Sequence, residues 1–450
     1  MDQKDPRDIA RALREVYRGD LIATGERLVR LKAKYVWEVQ ARKLIELHAS
    51  LLTESKESRD SRWTVCHITT VHRLGDTRIF HREAAAISED GKYSLIIIAS
   101  GRSLDVPAGI PGEIRLLPAR GGRLQRMVLS QGRAIVMALG AKADLYHLHD
   151  PELLPCAILL RWLGKRVVFD VHEDLPKQIL IKPWIPRRFV RIGYWFARLF
   201  DALVSRFSDG IVAATPQIGR KYHGIPVAVV QNFPMMKEFS CPVSLPLSQR
   251  GNVAIYVGTI TEERGLRCLL QAAERAAERL KGNFRLKLAG PFASDRDRAL
   301  FEALANKDIV EHVGWQDRRQ VADLLGQAVV GLVTFLPADS HLEAYPNKLF
   351  EYGAAGIPAI ASHFPLWRRL MDGGCVFVDP TEPQAIADAL CDLMTDKFEA
   401  EAIGRQAQER VRTRYCWESE AEKLLGLYEQ LLGSGAPGEL RSRSSRHAPR

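Results

Sequence analysis

The segment VVGLVTFLPADSHLEAYPNKLFEYGAAGIPAIAS, residues 329–362, reads as one strand–loop–helix–strand unit. An apolar run (329–336) ends in a polar loop reaching Pro346. A helical pattern starts around Asn347, and a second apolar run, IPAIAS (357–362), follows. Short apolar runs separated by helices signal a parallel sheet covered on both faces. The rhythm extends through NVAIYVGTI (252–260), FRLKLAG (284–290), IVEHVGW (309–315) and CVFVD (375–379). It also runs upstream, in WTVCHIT (63–69), SLIIIAS (94–100), DLYHLH (144–149), RVVFDVH (166–172), DGIVAAT (209–215) and VAVVQN (227–232). The expected fold class is α/β, with two Rossmann-like doubly wound domains facing a central cleft. Ligands of such sheets bind at the carboxyl ends of the strands.

The boundaries follow from composition. Residues 1–60 read as a helical extension, with Ile9, Leu13 and Tyr17 at helical spacing. Residues 61–233 form the first domain. The Pro- and Ser-rich stretch 234–250 is the expected hinge, and 251–410 the second domain. A helix over 411–432 closes the ordered chain, and 433–450 reads as a disordered basic tail.

The chain has 450 residues, net charge +10, 26% charged and 46% hydrophobic residues, which excludes wholesale disorder. Seven cysteines without a C-x-x-C pair give neither a disulfide scaffold nor a zinc ribbon. With no long apolar run and a charged start, the expectation is a cytoplasmic protein without a spanning helix or signal peptide. The basic balance points to an anionic partner.

Five strand-end segments carry the chemistry. In EAYPNKLFE (343–351), proline suits the first turn of a helix. The amides of Asn347, Lys348 and Leu349 are then expected to face the cleft and bind phosphate with the helix dipole. Glu343 and Glu351 are eight residues apart, about 12 Å along a helix, and so should touch different parts of one long ligand. In GTITEERG (258–265), Gly258 admits a close ligand and Arg264 offers a bidentate cation for a diphosphate. In HLHDPE (147–152), His149 sits at a strand end, where a neutral imidazole can bond a sugar hydroxyl; His147 reads as structural. No third ligand stands at zinc-motif spacing. In HRLGDTRIF (72–80), Gly75 allows close approach, Asp76 or Thr77 caps a helix, and Arg78 either serves the site or pairs with Asp76. In DVHED (170–174), His172 and Glu173 are candidates to line the site, as is Asp150. A further stripe, Phe189, Ile192, Trp195, Phe196, Leu199, Phe200 and Leu203 with Arg187, Arg188, Arg191, Arg198 and Arg206 around it, suits either a buried face or an anionic lipid surface.

Several motifs in order resemble the retaining glycosyltransferases of family 4, the group 1 glycosyltransferases of GT-B fold. They are DTRIFxxEA (76–84), ADLYHLHDPELLP (143–155), VVFDVHED (167–174), YVGxIxxxRG (256–265), EAYPNKLFEYGAAGIP (343–358) and WxxEAEKLLxxY (417–428). The resemblance covers about residues 63–432. It implies that Glu351 holds the donor ribose, Glu343 approaches the donor sugar, and Arg264 replaces the usual diphosphate-binding lysine. His149 falls near the donor sugar and Gly75 near the phosphates. Thr259 stands where a second basic residue is customary, and Lys348 is the candidate to compensate. The implied partners are a nucleoside diphosphate sugar and a glycan or lipid-linked acceptor, without metal or other cofactor, in surface-polysaccharide synthesis on the inner membrane face. The alternatives are a nucleotide-sugar 2-epimerase and a basic scaffold or nucleic-acid-binding protein; no nucleic-acid motif is present.

Overall fold

The computed structural model describes residues 62–72, 74–102, 109–118, 123–181, 187–239 and 245–433. The readings of 1–60 and of the tail beyond Gly433 lie outside them. The chain divides into two compact units. Of the first (1–64, 91–94 and 435–450), the described part is the start of two strands, where the Trp63 amide donates to the Lys92 carbonyl at 3.0 Å. The second unit (65–90 and 95–434) contains nearly all of both sheets.

The first sheet has seven strands: β1 (Trp63–Thr69), β2 (Tyr93–Gly101), β3 (Glu113–Pro118), β4 (Leu145–Leu148), β5 (Arg166–Val171), β6 (Gly210–Ala213) and β7 (Val227–Val229), in the order β3-β2-β1-β4-β5-β6-β7. The second has six: β8 (Val253–Val257), β9 (Arg285–Ala289), β10 (Val310–Gly314), β11 (Val330–Val333), β12 (Ala359–Ser362) and β13 (Cys375–Val378), in the order β10-β9-β8-β11-β12-β13. Both halves are Rossmann-like, as expected. The order reverses between β1 and β4 and again between β8 and β11, and ligand crevices open outside the strand ends at such points. Strand β3 was not among the runs singled out in the sequence. Its apolar run is broken by Arg115 and ends at Pro118.

The strands are buried because helices cover them. In the helix Leu266–Arg279, Leu266, Leu269, Leu270, Ala273, Ala276 and Ala277 are buried at helical spacing, while charged residues face water. Gly331 in β11 is required by packing: a Cβ there would lie 2.1 Å from the Tyr352 ring. The stretch 234–250 is less open than a hinge composition suggests. Phe239 and Leu247 join the second core, and the Arg250 guanidinium donates to the carbonyls of Leu245, Leu325 and Ala328.

The closing helical segment is two helices, Lys397–Arg414 and Trp417–Leu432. The second returns to the first sheet. Glu420 accepts from the Gln231 amide at 2.8 Å, and the Tyr428 hydroxyl reaches His67 and His147 at 3.0 and 2.7 Å.

Candidate active site

The loop after β8 turns twice through left-handed backbone, at Gly258 (φ +120°) and Gly265 (φ +88°). A Cβ at Gly265 would meet the Thr334 carbonyl oxygen at 2.2 Å, so only glycine lets the turn lie against β11. Thr261 caps the intervening turn by accepting from the Arg264 amide at 3.1 Å. The Arg264 guanidinium is thereby carried back over the strand end. It donates to the Thr259 carbonyl at 3.2 Å and stacks 5.3 Å from the Phe335 ring centre.

Lys348 completes this corner from the helix Asn347–Ala354. Its Nζ lies 3.6 Å from the Tyr256 ring centre and 5.0 Å from that of Phe335. The residue is only 8% exposed, and its ammonium has no hydrogen-bond acceptor. Burial, then Arg264, push its pKa well below the usual lysine value; Glu351 opposes them. Two cations against one ring, one of them unpaired, are costly until an anion arrives. A Cβ on Gly258 would stand 3.3 Å from this Nζ, closer than ordinary contact, so the glycine leaves room for the ammonium.

The helix starts at Asn347, as expected, with Pro346 as its N-cap, and the Leu349 amide donates to the Pro346 carbonyl at 3.0 Å. The Leu349 amide is therefore spent inside the turn, which corrects its assignment as a free phosphate donor. Asn347 is exposed at the first helical position.

One turn on, Glu351 is largely buried, with Arg318 Nη1 3.7 Å away. Burial raises its pKa from the ordinary glutamate value, against the pull of Arg318 and Arg82. Glu343 ends the short helix Asp339–Leu342 and is exposed; Lys177 of the first domain reaches it at 3.2 Å.

In the first domain, Gly75 takes φ +87° as its turn requires. Asp76 caps the following helix, accepting from the Arg78 and Ile79 amides at 2.9 and 3.1 Å. Arg78 does not pair with the Asp76 side chain. It is buried and makes two hydrogen bonds to Asp170, at 2.9 and 3.0 Å, and one to the Val230 carbonyl at 2.7 Å. This makes it a buried bridge between strands rather than a group free to meet an acceptor. Asp150 also turns inward. It accepts from Thr69 Oγ1 at 2.9 Å and from the Thr70 and Val71 amides, and pairs with His72 at 2.8 Å. It clamps the loop that presents Gly75, which corrects its reading as a site-lining group.

His149 is 1% exposed, with Nε2 2.9 Å from His67 Nδ1 and Nδ1 3.2 Å from Asp170. Both nitrogens are engaged, leaving none for a sugar hydroxyl in this arrangement. His172 is half-buried at the end of β5; burial lowers its pKa to about 4, so it is neutral at physiological pH. Glu173 is exposed. Sequence reasoning assigned no role to Lys177, Arg318, Arg82 or His67; Glu83 and Tyr428 stood inside the motifs DTRIFxxEA and WxxEAEKLLxxY without an assigned role.

This corner sets two basic side chains, Arg264 and Lys348, beside a glycine turn after the first strand of a doubly wound domain. Residues 242–410 match the family model of glycosyl transferases group 1. Over 373 residues, 80% of this chain and 91% of the relative, the sequence is 22% identical to a phosphatidyl-myo-inositol mannosyltransferase of Mycobacterium leprae. It is 29% identical over 195 residues to a D-inositol 3-phosphate glycosyltransferase of Corynebacterium urealyticum, covering 42% of this chain and 45% of that one. Among solved structures, the sucrose-phosphate synthase of Thermosynechococcus elongatus superposes with TM-score 0.60 at 18% identity, over 83% of this chain and all of that one. HepE of Anabaena in complex with UDP and glucose gives 0.59 at 14%, over 82% and 100%. These likenesses establish the GT-B fold.

Proposed function

We propose that this protein is a retaining glycosyltransferase. It would move a sugar from a nucleoside diphosphate sugar to a hydroxyl of a glycan or lipid-linked acceptor, in surface-polysaccharide synthesis. The observation that carries this reading is the buried, unpaired Lys348 ammonium beside Arg264 at the β8–β11 crevice. A departing diphosphate develops negative charge at that point, and Arg264, with Lys348 protonated as the diphosphate binds, stabilises it in a low-dielectric corner. Protein cations thus do the work that other transferases give to a metal ion. Glu351 would accept from the ribose diol and Glu343 would approach the sugar.

The acceptor side is supported by the helix Arg187–Arg206. Ile192, Trp195, Phe196 and Leu199 are exposed, with Arg191, Arg198 and Arg206 also facing water, while Ala197 and Val204 point inward. The side chains of Arg187, Arg188 and Phe189 lie outside the described ones. An apolar face edged by arginines suits an anionic membrane surface, where a lipid-linked acceptor would reside. Among the described residues no helix is long and apolar enough to cross a membrane. The bilayer contact proposed is peripheral, from the cytoplasmic side.

The test is turnover. Purified protein is incubated with UDP-, GDP- and ADP-sugars, with and without lipid-linked acceptors. Acceptor-dependent glycoside with retained anomeric configuration supports the proposal. An isomerised nucleotide sugar formed without acceptor would instead identify an epimerase.

A further inference from the structure

Three imidazoles and a carboxylate meet in the interior of the first domain. His67 lies on β1 and His147 on β4, opposite one another, and His149 follows β4. Glu83 ends a π-helical turn, Thr77–Glu83. In such a turn residues five apart share a face, which puts Glu83 and Arg78 on the same side. The ring centroids are 4.6 Å apart for His67–His147, 4.4 Å for His147–His149 and 4.9 Å for His67–His149. Glu83 Oε2 stands 3.9 Å from His67 Nδ1, His147 Nδ1 and His149 Nε2, and one ligand atom from each of the four residues falls within 4.8 Å of the others. All four residues are fully or almost fully buried.

Several atoms of this cluster lack a hydrogen-bond partner in the arrangement seen. Tyr428 can serve His67 Nε2 and His147 Nδ1, His67 can donate to His149, and His149 to Asp170. That chain leaves His147 Nε2 and both Glu83 oxygens without a hydrogen bond. Arg78 Nε is 3.0 Å from Glu83 Oε1, but its single N–H donates to Asp170 at 2.9 Å. Buried carboxylate oxygens without donors are rare and costly.

We propose that His67, His147, His149 and Glu83 form a binding site for one divalent transition-metal ion of the zinc type, which ties β1, β4 and the π-helical turn together. A tetrahedral ion with bonds of about 2.0–2.1 Å holds its ligand atoms about 3.3 Å apart. The separations here, 2.9 Å for His67–His149 and 3.9 Å from Glu83, straddle that value. The outer shell has the form such sites need: the other nitrogen of His149 faces a carboxylate, Asp170, and that of His67 faces the Tyr428 hydroxyl. The ligands come from separate elements, so no sequence spacing announces them. Through Tyr428 the site would also fasten the closing helix. It uses none of the residues of the Lys348 corner, and it stands or falls independently of the transferase reading.

The test uses full-length, tag-free protein purified without metal-affinity steps. Elemental analysis should find about one equivalent of transition metal. Chelator dialysis should lower the melting temperature by roughly 5–10 °C. Titration of the stripped protein with Co2+ should give a 1:1 visible absorption of tetrahedral type, lost in Glu83→Gln and His147→Ala. Wild-type protein that carries no metal and gives no such band with Co2+ would overturn the proposal, whatever the variants do. A band that persists in both variants would do the same.

Discussion

The ammonium of Lys348 rests 3.6 Å above the ring of Tyr256, buried and without an acceptor. Such a group weakens the free protein and strengthens the complex. Lys348→Met keeps the bulk and removes the charge. Its apo melting temperature should equal or exceed that of the wild type, because a buried charge without a partner is costly. Its affinity for a nucleoside diphosphate should fall roughly 10- to 100-fold, the worth of about 1.5–3 kcal/mol for a hydrogen bond to a charged group. Thermal shift with and without nucleotide checks both signs.

The same residue gives a pH signature. Its pKa is lowered in the free protein, so above that value Lys348 is neutral. The unfolded chain then holds more protons than the folded one, and stability contributed by this residue rises with pH up to the ordinary lysine value. A bound diphosphate restores the charge. Nucleotide binding in that window should take up a proton, seen as a binding enthalpy that varies with the ionisation enthalpy of the buffer. Lys348→Met should abolish that uptake.

The clamp between His72 and Asp150 should be felt at acid pH. Hydrogen bonds from His72 and the Thr70 amide hold the Asp150 carboxyl down at about 2, although burial opposes them. A depressed acid contributes stability that is present above its unfolded value near 4 and is lost as pH falls through about 2. His72 is raised by the same pair, so its share is present below its ordinary value and fades as pH rises through the raised one. Asp150→Asn should flatten both limbs of the stability profile. It should also loosen the Gly75 loop, raising KM for the donor more than it lowers kcat.

Lys177 and Glu343 meet across the two domains at 3.2 Å, both well exposed. An exposed pair contributes at most about 1 kcal/mol, so neither alanine variant should shift the melting temperature appreciably. Their activities should diverge. Glu343→Ala should lower turnover with donor affinity retained, and Lys177→Ala should leave turnover near wild type. Equal loss in both would assign the effect to the ion pair rather than to sugar contact.

The fold was legible because most strands are short apolar runs bounded by turns, from WTVCHIT to CVFVD. Strand β3 escaped because its run, EIRLLP, is interrupted by Arg115 and leaves only two adjacent apolar residues before Pro118. The Arg264–Lys348 corner was legible from two local motifs. The buried histidine cluster was not: His67 and Tyr428 are 361 residues apart, and only the sheet register and the returning helix bring them together. Arg78 and Asp150 carried functional residue types at strand ends, yet their partners, Asp170 and the Thr69–Val71 turn, turn them inward. The Leu349 amide is taken by the Pro346 carbonyl within the first turn of the helix, which residue types alone do not show.

The central claim is that the Gly258–Gly265 turn and the Asn347–Ala354 helix form a nucleotide-diphosphate site. Isothermal titration of UDP, GDP and ADP into wild type, Lys348→Met and Glu351→Ala tests it most directly. The account predicts 1:1 binding of at least one of them to wild type, with affinity at least about tenfold weaker in both variants. No binding of any of the three to folded wild-type protein, or equal affinity in all three proteins, would contradict it.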